Sequence, residues 1–499
     1  MPDSSMRPDP SVAQRLAADP AVSAWVDASA GSGKTKVLTD RVLALLLGGA
    51  RPHAILCLTF TKAAAGEMAN RVADRLALWA RADAADLAGN LTDLLGQPPT
   101  ADQIDRARRL FAKVQEAPGG VRIETVHGFC QGVLQRFPVE ANVPPHFDVL
   151  EERDQRLLLA QARDELVRAV ASAPDGGLAQ AWDRMLERLT EQSFAKLSVE
   201  MAKQRARLEN VQPADVAQVL GIDPQQTPAA ILAAACLDDA IDVASLRAAI
   251  TPLQADSAKT VQKMAMALTD FFGNEPEQRN FDAYATAFLT QAGAPLKLGA
   301  LKAFKSNDSL LATISAEQDR LIRVNGECAK AVALADTRAL LTVTQRLLTR
   351  YRALKRSRSL LDYDDLILGA ARLLVDPGAA WAHFKLDGGI DHVLVDEAQD
   401  TNPAQWQVIA GLIAEFFAGG DERGRTLFAV GDPKQSIYSF QGADPQGFLH
   451  RREEFRAAAR ACGLEWRDVP LTVSFRSAPP VLQLVDAVFE VADRLGVGD

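Results

Sequence analysis

The sequence predicts an α/β protein: a parallel sheet that delivers phosphate- and metal-binding side chains at one edge, interrupted by a long helical insertion. Three observations lead there. Ala24-Trp25-Val26, then Ala28-Ser29-Ala30-Gly31-Ser32-Gly33-Lys34-Thr35, then Val37-Leu38 and Val42-Leu43 give strand, Gly-rich loop and helix, the order a phosphate-binding loop requires. Residues 54–59 (Ala-Ile-Leu-Cys-Leu-Thr), 393–395 (Val-Leu-Val) and 427–430 (Leu-Phe-Ala-Val) are apolar without alternation, as strands covered on both faces are. From about residue 150 to about 345 such strands vanish, and Ala, Leu, Arg and Glu recur at helical spacing.

Composition narrows the class. With 499 residues, 48% hydrophobic and 24% charged, the chain is globular and long enough for more than one domain. No uninterrupted apolar run is long enough to span a bilayer, so no membrane partner is expected. Met1 to Pro10 is polar and Pro-rich, without the apolar core of a signal peptide. Cys57, Cys130, Cys236, Cys328 and Cys462 are isolated and odd in number, which fits reduced thiols in the cytoplasm and disfavours a zinc site. The net charge of −9 argues only weakly against nucleic acid, because a basic groove can sit on an acidic body.

In chain order, Gln14 comes first. It reads as a polar residue of an amphipathic helix, but its place ahead of the loop also lets a carboxamide donate and accept on a purine edge. In the loop, Gly31 and Gly33 leave backbone N–H groups open to phosphate oxygens, Lys34 reaches the β/γ-phosphates, and the Thr35 hydroxyl reaches Mg²⁺. The strand at 54–59 ends in Phe60-Thr61, an aromatic and a hydroxyl suited to base stacking and phosphate contact. Residues 121–127 repeat the design and end in Thr125 and His127, of which a lone His is more often structural.

The helical insertion has polar breaks near 172–177, 221–228 and 305–309 and carries no legible chemistry. Its last helix bears Arg346, Arg350, Arg352, Lys355, Arg356 and Arg358 without one acid; a solvated face and a phosphate-backbone contact fit equally. Val393-Leu394-Val395 then delivers Asp396 and Glu397, the first placed to hold Mg²⁺ through water and the second to act as general base. After residues 427–430 comes Gly431-Asp432-Pro433-Lys434-Gln435-Ser436-Ile437-Tyr438-Ser439-Phe440-Gln441-Gly442. Gln435 is placed to touch the γ-phosphate while Tyr438 and Phe440 face single-stranded bases. The last element is expected at 471–477 (Leu-Thr-Val-Ser-Phe-Arg-Ser), followed by a helix.

Together these segments resemble the superfamily 1 DNA helicases of the UvrD/RecB type. Gln14 matches the Q motif, 28–35 motif I, 58–72 motif Ia, 125–127 the TxH motif, 395–401 motif II, 428–444 motif III and 473–477 motif IV. Ala28 fits, since that family's loop usually begins with Ala. Residues 58–68 (Leu-Thr-Phe-Thr-Lys-Ala-Ala-Ala-Gly-Glu-Met), with 123–130 and 431–444, look most like the AddA-type helicase–nuclease subunits.

The resemblance implies a RecA-like P-loop lobe over 1–150 and 355–470, a helical subdomain over 151–354, and a second lobe beginning at 471–499. It implies ATP and Mg²⁺ as cofactors, Lys36 and Arg71 in the nucleotide site, and Arg476 reaching the γ-phosphate from the second lobe. Single- and double-stranded DNA and an AddB-like subunit would be partners, with 3′-to-5′ translocation serving double-strand break repair. Motifs V and VI and the nuclease have no counterpart here, so the chain is expected to be the N-terminal part of a longer protein. A UvrD- or RecB-like helicase with another partner, a P-loop ATPase acting on proteins, and an inert nucleotide-binding module are the rivals.

Overall fold

A parallel sheet orders the N- and C-terminal parts of the chain. The computed structural model describes residues 10–299, 301–305, 307–387, 389–417, 423–436, 444–478, 480–484 and 487–488. They fall into two compact units, residues 1–151 with 358–499, and Glu152–Ser357.

The first unit holds β1 (Ser23–Ala28), β2 (Ile55–Thr59), β3 (Arg122–Thr125), β4 (Asp148–Val149), β5 (Leu360–Leu361), β6 (His392–Val395), β7 (Thr426–Gly431) and β8 (Trp466–Leu471). Six of these make one sheet in the order β3-β2-β6-β7-β1-β8, every neighbouring pair parallel, while β4 and β5 pair separately. Position in the sheet follows composition. The interior strands β2, β6 and β7 are buried at every residue, whereas edge β8 alternates toward solvent and carries Pro470, which an edge strand tolerates.

Helices cover both faces. Ala24, Val26, Ile55, Cys57, Leu394, Phe428 and Val430 point to one core. The helices on that side are α1 (Pro10–Ala18), α2 (Lys34–Gly48), α3 (Lys62–Arg81), α4 (Ala84–Leu95) and α5 (Ala101–Glu116). The alternate residues Trp25, Leu56, Leu58, Val393, Val395, Leu427 and Ala429 enter the other core. There they meet α6 (Val126–Arg136) and the helices Tyr363–Val375, Pro403–Ile413 and Pro445–Ala461. Trp25 anchors that side, its ring 5.8 Å from Trp406 and 4.7 Å from Phe448.

The last strand differs from expectation. It lies at Trp466–Leu471, not 471–477, and pairs with β1 in this same sheet, Val26 opposite Val469 and Ala28 opposite Leu471. Val469 and Leu471 bury apolar side chains in the core, whereas 472–477 offers mostly polar ones. The segment carrying Arg476 therefore leaves the first sheet and does not open another.

Among the described residues of the second unit the regular elements are helices, apart from one isolated bridge between Leu289 and Pro295. The expected polar breaks fall between helices ending at Ser172, Leu220 and Lys305 and those beginning at Gly177, Pro228 and Asp308. The longest helix, Asp308–Ser357, runs 50 residues and packs Leu310, Ile314 and Leu321 against Leu268, Phe288 and Phe304. Its cationic end is partly neutralised by other helices: Arg350 donates to Glu165 and Arg352 to Glu209. No helix among the described residues is long and apolar enough to cross a membrane.

Candidate nucleotide site

Parallel strands present their carboxyl ends at one edge, and there the loops after β1, β6, β7 and β8 meet. The loop after β1 turns on two glycines in the left-handed region, Gly31 at φ 75° and Gly33 at φ 93°. Gly33 also precedes α2, where its carbonyl accepts from Val37 N at 3.0 Å. Each glycine leaves space that a neighbour uses. A Cβ on Gly33 would stand 2.8 Å from Gln14 Nε2, and one on Gly31 would stand 2.7 Å from Arg476 Cβ. Gln14 Nε2 donates to Ser32 O (3.2 Å), and Phe475 N donates to Gly31 O (2.9 Å). Residues 474–476 thus lie against the loop.

Lys34 stands at the start of α2, its Nζ 2.9 Å from Glu397 Oε2 and 3.5 Å from Gln435 Oε1. Glu397 adopts φ 47°, a left-handed conformation that costs a non-glycine residue about 1–3 kcal/mol. Gln399, buried after β6, donates from Nε2 to Glu397 Oε2 (2.8 Å) and Asp400 Oδ2 (3.2 Å). Its Oε1 accepts from Asp432 N at 2.8 Å, and Asp432 Oδ2 accepts from Gln435 Nε2. Asp396 N donates to Leu58 O (2.9 Å), and its Oδ1 accepts from Glu397 N (3.0 Å). Desolvation, and then the adjacent Glu397 carboxylate, push the Asp396 carboxyl up to about 6.

Residues 11–456 match the family model of the UvrD/REP helicase N-terminal domain. The chain belongs to that family. Over 93% of its length it is 26% identical to the AddA subunit of the ATP-dependent helicase/nuclease of Lactobacillus helveticus (strain DPC 4571), covering 38% of that protein. The protein of the same name from Lysinibacillus sphaericus (strain C3-41) is 26% identical over 94% of this chain, with 39% of its own length covered. That of Staphylococcus aureus (strain USA300) is 25% identical over 93%, with 38% covered. The chain thus spans well under half the length of these curated relatives.

Within this UvrD/REP domain the remaining predicted residues divide. Ala28 closes β1 buried, Ser29 and Ala30 are exposed, and Thr35 lies in the first turn of α2. Lys36 Nζ pairs with Asp40 (2.6 Å), and Arg71 donates from Nε to Glu67 on its own helix (3.1 Å), so neither reaches the loop here. Thr61 and Thr125 cap helices: their hydroxyls accept from Ala64 N (3.1 Å) and Gly128 N (3.0 Å). Phe60 is half-buried beside Thr61. His127 is half-buried and meets Tyr363 edge-on at 5.3 Å, and desolvation lowers its pKa. Tyr438 and Phe440 lie outside the described residues.

Three contributors were not among the residues expected from the sequence. Gln399 sits in the acidic run 396–400, but its partner Asp432 lies 33 residues away. Phe475, 62% exposed, projects next to the phosphate loop. Arg41 is fully buried, donates to Ala17 O (3.1 Å) and Asp19 O (2.7 Å), and stacks 5.0 Å over Phe428. It pins the end of α1, and so Gln14, to α2. Desolvation brings its pKa down to about 9. A charged pair, Asp40-Arg41, inside an apolar helical run was the available signal.

Proposed function

We propose that this chain is the ATP-binding motor part of a DNA helicase, a RecA-like P-loop lobe that hydrolyses ATP to move along single-stranded DNA. One observation carries the reading: Lys34, on the phosphate loop, is held by Glu397 and Gln435 from two other loops. A γ-phosphate taking the place of those contacts would lie beside a base and a polar sensor at once. Glu397 would activate the attacking water. Gln14 would read adenine, Phe475 would offer a ring face to it, and Arg476 would approach the γ-phosphate from the segment after β8. Lys36 and Arg71 would join the site only by leaving their ion pairs.

The donor set suits Mg²⁺. Among the described residues no cluster of three or more His, Cys, Asp or Glu could hold a metal. Magnesium in nucleotide sites takes one or two protein ligands, with phosphate and water for the rest. Asp396 and Thr35 would be those ligands, and the ion would neutralise phosphate charge. A carboxyl with its pKa pushed to about 6 has charge to gain from a cation, and Ser32 Oγ, buried without a partner, has a bond to give phosphate.

We take residues 1–150 and 355–470 as the two parts of the lobe and 151–354 as its helical insertion. By likeness to the helicase/nuclease relatives, movement would be 3′-to-5′, in the cytoplasm, in double-strand break repair with an AddB-like partner. Phe60, Thr61, Thr125, His127, Tyr438 and Phe440 would line the strand path. The test is ATP hydrolysis with and without oligothymidylate. Stimulation by the strand is expected. Hydrolysis indifferent to DNA but raised by a protein partner would favour a P-loop ATPase of another kind.

A further inference from the structure

Around the site the side chains close a ring. Lys34 Nζ contacts Glu397 Oε2 (2.9 Å), Glu397 Oε2 accepts from Gln399 Nε2 (2.8 Å), and Gln399 Oε1 accepts from Asp432 N (2.8 Å). Asp432 Oδ2 then accepts from Gln435 Nε2, and Gln435 Oε1 returns to Lys34 Nζ (3.5 Å). The orientation of the Gln399 amide is dictated. A backbone N–H can only donate, so the atom facing Asp432 N is the oxygen and the nitrogen must face Glu397 and Asp400. The space is dictated too: a Cβ on Gly431 would stand 2.6 Å from Gln399 Oε1 and 3.1 Å from Gln399 N.

We propose that Gln399 is the positioning residue that ties the hydrolytic base on the β6 loop to the nucleotide-sensing β7 loop. The inference rests on the ATPase reading above. Phosphate bound at Lys34 would displace both contacts that Lys34 makes in the ring, to Glu397 and to Gln435. The bonds through Gln399 need not break. They hold Glu397 in its left-handed backbone and make any shift of Asp432 and Gln435 a shift of the base. Residues 437–443 follow on the same loop, so a strand gripping them would adjust the base through Gln399.

Two substitutions separate this from plain packing. Gln399→Met keeps length and volume but removes every bond. Gln399→Glu keeps the acceptor for Asp432 N while replacing the donation to Glu397 with repulsion, and a thermal melt reports whether either variant is merely unfolded. Affinity for a fluorescent ATP analogue, steady-state hydrolysis, and its stimulation by oligothymidylate are measured in both, with Lys34→Ala as reference. The expected result is nucleotide affinity within about twofold of the parent, kcat lower by roughly tenfold or more, and loss of stimulation by the strand. Gly431→Ala, which displaces Gln399 from the other side, should give the same pattern. Parental kcat and stimulation in Gln399→Glu would overturn the proposal, as would binding and hydrolysis falling together with the melting temperature. A parent chain that binds no ATP, or binds it no better than Lys34→Ala, would instead overturn the ATPase reading beneath it.

Discussion

Lys34 Nζ lies 2.9 Å from Glu397 Oε2, an ion pair between the residue placed to receive phosphate and the residue placed to activate water. With Lys34 only 11% exposed, an incoming phosphate must compete with a carboxylate for a shielded ammonium. Removing the charge of Glu397 ends that competition. Glu397→Gln should therefore bind ATP several-fold more tightly than the parent, as measured by titration calorimetry. Weaker binding would mean that Glu397 attracts the nucleotide complex, for instance through its metal.

Gly31→Ala should strain the loop and push away the segment that covers it. At φ 75° a side chain costs about 1–3 kcal/mol, and its Cβ would stand 2.8 Å from Ser474 Oγ as well as against Arg476. Expected are a lower melting temperature and faster hydrogen exchange at the Phe475 amide, which now donates to Gly31 O. Gly48, where an added Cβ meets nothing within 4 Å, is the control, and Gly48→Ala should leave both readouts unchanged.

Arg41→Met preserves the stem but strips the carbonyls of Ala17, Asp19 and Val22 of their donor. Unsatisfied buried carbonyls cost about 1–3 kcal/mol each, so a loss of about 3 kcal/mol or more is expected in denaturant melts. Freed α1 should also let Gln14 drift. Discrimination between ATP and GTP, measured as a ratio of affinities, should fall even at a temperature where the variant is folded.

His392 gives stability a pH dependence. Its Nδ1 shares a hydrogen bond with Thr426 Oγ1 (2.9 Å), and desolvation, then the charge of Arg41, lower its pKa to about 4. The unfolded chain takes up this proton near pH 6.5 and the folded chain only near 4, so between them the unfolded state binds more protons. Stability should fall as pH drops through that window, by about 3 kcal/mol once protonation is complete. His392→Gln can keep a bond to Thr426 without titrating and should flatten this part of the curve.

What the sequence disclosed followed from what each residue needs locally. The strands at 54–59, 393–395 and 427–430 were legible because interior parallel strands must be apolar on both faces. The edge strand Trp466–Leu471 was not, since half of an edge strand faces water and its Pro470 reads as a break. Thr61 and Thr125 illustrate another limit. A hydroxyl at the end of a strand and the start of a helix suits a nucleic-acid contact and a helix cap alike, and the caps are what the backbone uses here. Lys34, Glu397 and Gln435 were legible as separate motifs. Their joining through Gln399 was not, because the link is made by an amide whose partners come from distant loops.

The central claim is that Lys34 and Glu397 are, respectively, a phosphate ligand and a hydrolytic base at one site. The most direct measurement is Mg²⁺-dependent ATP hydrolysis by the parent, Lys34→Ala and Glu397→Gln, with equilibrium ATP binding followed in the same preparations. Both variants are expected to lose hydrolysis by orders of magnitude while only Lys34→Ala loses binding. Hydrolysis by Glu397→Gln at the parental rate would contradict the claim.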